Sequence, residues 1–439
     1  MNRRKHKKRK YELKRIRRLQ KQTGGAKRRR VGKSVVSDGA MVYSDSVNDI
    51  LDRNHFAKGT VQLLVNKTAD MTVPPCFSMI NNPEETIAWI RKLYAYGQDV
   101  RIEKIRFSHL KCYDIDLAAS TFMDIVVASL KRYRRKIKRP LHFEGKMPTD
   151  GECKDILVAS GIVKHLNAYT TGTYDEKKVK PFPLVEGRYL AGKSDKVATE
   201  LTQYYNKCLK EHGYMLNVGG KNRLSHIFGE VLLNCESHGG EDSIWYALGH
   251  YQFYENEKVG ELQLTFITLG NTIYEGIHNA ATSETKAKLQ KLFERHKSLF
   301  SSNWTKEMAA TVFSLQEGVS RLRSSASEGN SSRGNGTINM IRLLNEIGRT
   351  DSGSVPQISI TSGNTHIVFD GKYQLLKQKF EQDEIFGSKV LSIIAFNENN
   401  DIYEKADVDS VKCIKQHFPG TAISIKFYLD SKYLEKMHG

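Results

Sequence analysis

The chain runs to 439 residues with 39% hydrophobic side chains, which is enough for buried cores, excludes a disordered polypeptide or a small disulfide-stapled scaffold, and predicts two or three domains at roughly 100–200 residues each. Its 68 Lys and Arg exceed its 49 Asp and Glu to give +19, but residues 1–33 alone carry 17 basic side chains against Glu12, so +16 sits there and 51 − 48 = +3 in the rest. The most apolar run, Ala118 to Leu130, contains Asp124 and is too short to span a bilayer, no apolar segment follows the basic N-terminus, and six cysteines without a C-x-x-C pair suit neither a zinc ribbon nor a disulfide framework, so a soluble cytoplasmic protein is expected.

Residues 1–40 read as a basic arm, with RRKHKKRK and KRRR on either side of Thr23-Gly24-Gly25. Such a segment repels itself and has too little apolar surface to fold alone. Residues 1–33 suit DNA, RNA or another polyanion, because each phosphate neutralised releases counterions. A solvated tail that aids solubility is the simpler alternative, and a membrane role is not expected because few large apolar residues are present to insert.

Over residues 56–168 short β-rich runs alternate with helical ones. Strands are expected at Val61–Val65, Ile102–Phe107 and Pro140–Phe143, and helices from Pro83 to Tyr94, Asp114 to Tyr133 and Asp150 to Ala159. This alternation predicts a small α/β unit. Without a nucleophile, a metal-ligand spacing or a glycine-rich phosphate loop it reads as a docking domain. Residues 169–195, rich in Thr, Gly, Pro and Lys, are expected to be an interdomain linker. Two helices follow, Lys196 to Glu211 and Lys221 to Ser237, then a hairpin of Ser243–Tyr254 and Gly260–Leu269 across a polar turn at 255–258. Further helices are expected at Ser283–Ser298 and Thr305–Gln316, a Ser/Gly/Asn-dense stretch at 324–336, and strands at Gln357–Thr361, Thr365–Phe369 and Ala422–Leu429.

The chemistry concentrates in three segments. His226, Glu230, Asn234 and His238 are spaced by four, so a helix stacks them along one slowly drifting face. A carboxylate and a carboxamide one turn apart can divide a phosphoryl-transfer task, with Glu230 polarising a water as general base and the Asn234 oxygen ligating Mg²⁺. The same stripe also describes a solvated polar face, and the histidines match no standard zinc set. Gly270 then ends the hydrophobic strand that carries Thr268, where a tight turn can bring backbone close to a flat ligand. Ser331-Ser332-Arg333-Gly334-Asn335-Gly336 runs into apolar Ile338, Met340 and Ile341, a glycine-rich loop entering a helix, whose backbone N–H groups and dipole suit a polyphosphate beside the fixed charge of Arg333.

In this order the three segments, over Lys196 to Leu429, resemble the GHKL superfamily of ATPases, the Bergerat fold found in chaperones, type II topoisomerases, mismatch-repair proteins and histidine kinases. The family's E-x-x-x-N is matched by Glu230 and Asn234, and its H-G helix ending by His238-Gly239. Its D-x-G-x-G falls on Thr268, Leu269, Gly270, Asn271 and Thr272, so only Gly270 survives, and a hydroxyl stands where the family aspartate bonds the adenine amino group. The lid glycines are matched by Gly334 and Gly336, and the G-T that closes the pocket by Gly420-Thr421. The resemblance implies an α/β sandwich over 196–435, with a mixed sheet covered on one face by helices and a lid over about 274–336. It implies ATP and Mg²⁺ as ligands, with Asn234, His238, Thr268, Gly270, Arg333, Gly334, Gly336 and Thr421 binding nucleotide and Glu230 supporting slow hydrolysis. Arg321 and Arg323 join Arg333 as candidate γ-phosphate sensors. His226 lies on the nucleotide helix itself and is expected to be structural, which argues against a two-component kinase.

Beside this resemblance the 56–168 unit is similar to a STAS-like domain, on its element order and its Pro74-Pro75-Cys76-Phe77-Ser78 entry. That implies a protein partner and regulation within one chain. The expected class is therefore α/β (α+β), and the expected function a Mg-ATP-driven switch or slow ATPase, possible as a homodimer, whose basic arm contacts nucleic acid. The alternatives are a non-hydrolysing GHKL scaffold and a protein kinase acting on a separate STAS partner.

Overall fold

A computed structural model describes residues 46–57, 67–165, 173–280, 282–317, 319, 338–342, 350–351 and 353–438. The basic arm, the expected strand at 61–65, Arg321, Arg323 and the loop carrying Arg333, Gly334 and Gly336 lie outside the described residues.

Helix α1 (Ser46–Arg53) leads into an α/β unit of β1 (Thr68–Thr72), β2 (Cys76–Phe77), α2 (Pro83–Gln98), β3 (Lys104–Ser108), β4 (Asp114–Ile115), α3 (Leu117–Lys136), β5 (His142–Lys146), α4 (Gly151–Asp155), a π-helical turn (Ile156–Ser160) and α5 (Ile162–His165). Strands β1, β3 and β5 form a parallel sheet in chain order, as β-α-β alternation requires. Helix α2 starts at Pro83 with Glu84 and Glu85 in its first turn, where a fixed φ and negative charge suit a helix N-terminus. Helix α3 is capped by buried Asp116, whose Oδ1 accepts from Ala119 N at 2.7 Å while Oδ2 accepts from Ser78 Oγ at 2.7 Å and Ile80 N at 2.8 Å.

The second unit is built on β6 (Val179–Arg188), β7 (Ile244–Tyr254), β8 (Val259–Leu269), β9 (Gln357–Phe369) and β12 (Val411–Asp430), in the order β6-β7-β8-β12-β9. A small hairpin pairs β10 (Leu376–Lys379) with β11 (Val390–Ile393). Helices α6 (Ser194–Lys210), α7 (Val218–His238), α8 (Ile273–Ala280), α9 (Ser283–Arg295) and α10 (Lys306–Ser314) belong to this unit, residues 338–342 are helical, and α11 (Ser431–His438) ends the described chain.

Three expectations are corrected. Every pairing in the large sheet is antiparallel, so it is not mixed. The expected linker holds β6, an edge strand on β7 whose pairing shifts register between Phe182 and Val185. Pro181 and Pro183, which favoured a linker reading, are tolerated on an edge because no second neighbour needs their N–H. The strands expected at 357–361 and 365–369 are one strand, broken only in register where Gly363 takes φ +59°.

Both faces of the large sheet are covered. Trp245, Ala247, Leu264 and Phe266 pack toward α6 and α7, while Ile244, Tyr246, Leu248, Ile267, Leu269 and Ala422 join the core of the first unit with Phe122, Ile125 and Val126 of α3. The rings of Phe122 and Phe418 lie 4.9 Å apart, and Leu117 N donates to Gln263 Oε1 at 2.8 Å. Among the described residues no helix is long and apolar enough to cross a membrane.

Candidate functional site

Helix α7 opens at Asn217, whose side chain accepts from Gly220 N at 2.7 Å. Val231, Asn234, Cys235 and His238 follow i, i+3, i+4, i+7 spacing, which puts them on one stripe of the helix. That stripe lines a cavity of about 150 Å³ closed by Thr268 at the end of β8, Asn271 and Thr272 beyond it, Ile273 and Ile277 of α8, Ser314 of α10, and Ile360, Thr421 and Ile423 of β9 and β12. An engineered apolar cavity of about this volume holds one aromatic ring, so the space suits a flat heterocycle with the rest of a ligand projecting outward. The lining contains hydroxyls, amides and an imidazole but no carboxylate, lysine or arginine among the described residues.

Glycines hold the wall together. Gly270 takes φ +148°, and a β carbon there would run into the Gly239 carbonyl; Gly420 takes φ +142°, and a β carbon there would run into the Thr268 carbonyl. Only glycine combines that backbone with that approach. Gly270 N donates to Pro419 O at 3.0 Å and Asn271 N to Gly239 O at 2.7 Å, so the end of α7, the end of β8 and the start of the Gly420-Thr421 turn are fastened to one another. Gly270 thus shapes the site without lining the cavity.

The hydroxyls are individually positioned. Ser362 Oγ accepts from Ile273 N at 2.9 Å, donates its proton to Gly420 O at 3.1 Å, and lies 2.9 Å from Thr421 Oγ1. With that proton committed, Thr421 donates to Ser362 and keeps its lone pairs for a ligand. Burial pushes the Cys235 thiol up to about 11, against the opposing hydrogen bond of Thr268, so Cys235 is a neutral wall group at pH 7 and the Thr268 hydroxyl can offer either hydrogen-bond sign.

Of the residues singled out in the sequence, Asn234, His238, Thr268 and Thr421 meet at this cavity, while Glu230 does not. Glu230 lies one residue outside the stripe, is 7% exposed, and lines a separate cleft between α6 and α7 with Asp195, Thr199, Ser225 and His226. Sequence reasoning missed Cys235, Ser314 and Ser362. Cys235 is the i+4 neighbour of Val231 and falls on the stripe once the helix is phased by Asn234, but nothing local marks Ser314 or Ser362, which reach the site through tertiary packing. No group of three or more His, Cys, Asp or Glu able to hold a metal ion occurs among the described residues. Comparison with protein-family models, curated proteins and solved structures gives no match.

Proposed function

We propose that the second unit binds a purine nucleotide, ATP with Mg²⁺, as a GHKL-type conformational switch. The observation that carries this reading is convergence: Asn234 and His238 of α7, Thr268 of β8 and Thr421 of β12, chosen from separate motifs, line one cavity. Ile273, Ile277, Ile360 and Ile423 would sandwich the base, and Thr268 and Thr421 would read its edge. Asn234 would offer one oxygen to a magnesium ion, which keeps several waters and takes its other ligands from the phosphates of its nucleotide. The ion, when bound, supplies charge neutralisation to the phosphates. The chain's own groups orient the base, exclude water from it and hold the ribose–phosphate end toward α8–α10, the segment expected to act as a lid.

Calorimetric titration of ATP and Mg²⁺ tests the reading. The wild type is expected to bind in the micromolar range and Asn234→Ala to lose at least about tenfold, because a buried hydrogen bond to a charged ligand contributes about 1.5–3 kcal/mol. Equal affinity in an Asn234→Ala protein that melts like wild type would remove it.

A second reading, binding without turnover, is favoured by Glu230 facing the α6–α7 cleft, since a general base must come within hydrogen-bond reach of the proton it takes. Hydrolysis that disappears in Glu230→Ala would return this residue to the catalytic role. The basic arm would place the switch on nucleic acid in the cytoplasm, and the first unit would present the partner surface expected of a STAS-like module.

A further inference from the structure

We infer that the cavity is gated by a composite cap, in which residues 370–410, the stretch between β9 and β12, are clasped onto α9 and α10 so that both chain segments open and close as one body. Thr285 of α9, Ser314 and Leu315 at the end of α10, Val319 and Ile338 close one side of the cavity. No residue of 370–410 lines it, yet that stretch holds α9, α10 and the helical turn that carries Ile338. That the gated ligand is a nucleotide rests on the function proposed above; that the cover moves as one body rests on the packing alone.

At the end of α10 the buried Gln316 side chain acts as a strand neighbour. Its Oε1 accepts from Ile394 N at 2.9 Å and its Nε2 donates to Ile394 O at 3.0 Å. Glu317 repeats the pattern on Ser392, its N donating to the carbonyl at 3.3 Å and its Oε2 accepting from the amide at 2.6 Å, and Arg342 donates to Ser392 Oγ at 3.1 Å. Just after α9 the His296 ring bridges the two segments: Nε2 donates to Ile402 O at 3.0 Å, which leaves Nδ1 to accept from Trp304 Nε1 at 3.0 Å. Arg295 lies over the Tyr403 ring at 4.4 Å, and Phe313 of α10 meets Phe386 at 6.0 Å. Strands β10 and β11 pair with each other outside the large sheet, so side chains rather than a shared ladder fix them over α9 and α10. Separation would leave the amide and carbonyl of buried Ile394 without partners, a cost that favours joint movement.

Both segments are rooted at one place. The β9–β12 ladder breaks where β12 advances eight residues, 413 to 421, while β9 advances three, 365 to 362, and such bulges bend the strand that carries them. Beyond the break the pair continues as a ribbon through Ile367 and Val411 into the 370–410 stretch. The foot of α10 is tied to the same break: Glu307 Oε1 accepts from Asn364 N at 2.8 Å and packs against Gly363, at φ +59°, where a β carbon would run into the carboxylate. The first unit also holds the break, through Ile80 O, which accepts from His366, and Glu84 Oε2, which accepts from Lys415 N at 2.7 Å. A cap hinged there swings α9, α10 and the β10–β11 hairpin away from α7 together.

The test is the rate at which Cys235, in the cavity wall, reacts with N-ethylmaleimide in the full-length chain, read peptide by peptide by mass spectrometry. Fully buried Cys208 reports global unfolding, and exposed Cys413 gives the unhindered rate. Gln316→Ala/Glu317→Ala cuts the clasp from the α10 side and Phe386→Ala/Tyr403→Ala from the 370–410 side, and none of the four lines the cavity. Labelling of a covered thiol follows the population of the open form, and each lost contact raises that population roughly two- to tenfold. Both variants are therefore expected to speed Cys235 by about tenfold or more with Cys208 unchanged. Tyr403→Ala alone repeats the comparison should Phe386→Ala unfold its stretch. Acceleration by the α10 variant alone would make α9 and α10 the whole cover and overturn the inference, as would no acceleration in either. Equal acceleration of Cys235 and Cys208 would reduce the effect to lost stability, and wild-type labelling of Cys235 as fast as Cys413 would show an open cavity; each overturns it as well. Saturating ATP with Mg²⁺ is expected to slow Cys235 in wild type, and failure there would count against the nucleotide reading alone.

Discussion

Thr268 marks where the proposed nucleotide site departs from the pattern it resembles. A carboxylate only accepts hydrogen bonds, whereas a hydroxyl accepts or donates, so Thr268 does not separate a 6-amino from a 6-oxo purine. Titration of ATP and GTP is expected to give similar affinities in wild type, and Thr268→Asp to favour ATP by about tenfold, because a charge-assisted hydrogen bond contributes about 1.5–3 kcal/mol. A ratio unchanged by the substitution would place the base elsewhere. Gly420 tests the wall by another route. At φ +142° and against the Thr268 carbonyl, Gly420→Ala is expected to cost about 1–3 kcal/mol in urea unfolding, with the damage centred on the cavity. Asn234, His238, Thr268 and Thr421 were legible because each stands in a short pattern whose spacing carries geometry. Glu230 falls outside the cavity because a four-residue step covers about 400° of helix rotation, and the drift accumulated from 230 to 238 carries it off the stripe that Asn234 and His238 share.

At the scale of elements, α7, β7, β8 and the helices of the first unit were readable from periodicity, yet the strongest signal was misread. Strands β7 and β8 are buried almost throughout, a continuous apolar run that belongs to a sheet covered on both faces. One-sided cover was expected because the second cover, α3, lies more than a hundred residues upstream and its match to the sheet cannot be seen locally. Phe122 is its central anchor, fully buried and packed at a tilt against Phe418, three residues before the cavity-lining Thr421. Phe122→Ala is expected to cost about 3–5 kcal/mol and to leave one cooperative melting transition, because one of the two cores is shared by both units. Two separated transitions in calorimetry would show that the units are independent. The expected linker failed for a related reason: composition reports which residues avoid regular structure, and an edge strand tolerates the same ones.

For the molecule as a whole, two interior histidines join the units. His366 Nε2 donates to Ile80 O at 3.3 Å, with Nδ1 2.9 Å from the Thr361 hydroxyl, and His250 Nδ1 lies 2.9 Å from Ser160 Oγ. Burial holds both imidazoles down at about 4, against about 6.5 in the unfolded chain. Between those values the unfolded chain binds more protons, so stability is full above about pH 6.5 and falls as pH drops toward 4, by at most roughly 3 kcal/mol per histidine. Asp124, raised by burial to about 6, runs the other way and offsets part of this. Melting temperature is expected to fall between about pH 7 and 5, and His250→Gln/His366→Gln to flatten that fall; a wild-type profile already flat over this range would contradict the linkage. The shared core also sets the order of events during synthesis. Helix α3 is complete at residue 136, but β12, part of the surface that covers it, ends at 430, so 430 − 136 = 294 further residues must be translated. At about 5–20 residues per second that takes roughly 15–60 s. For that interval α3, already packed on α1 and α2 and later on β7 and β8, still lacks the last part of its cover, the Phe418 ring that meets Phe122.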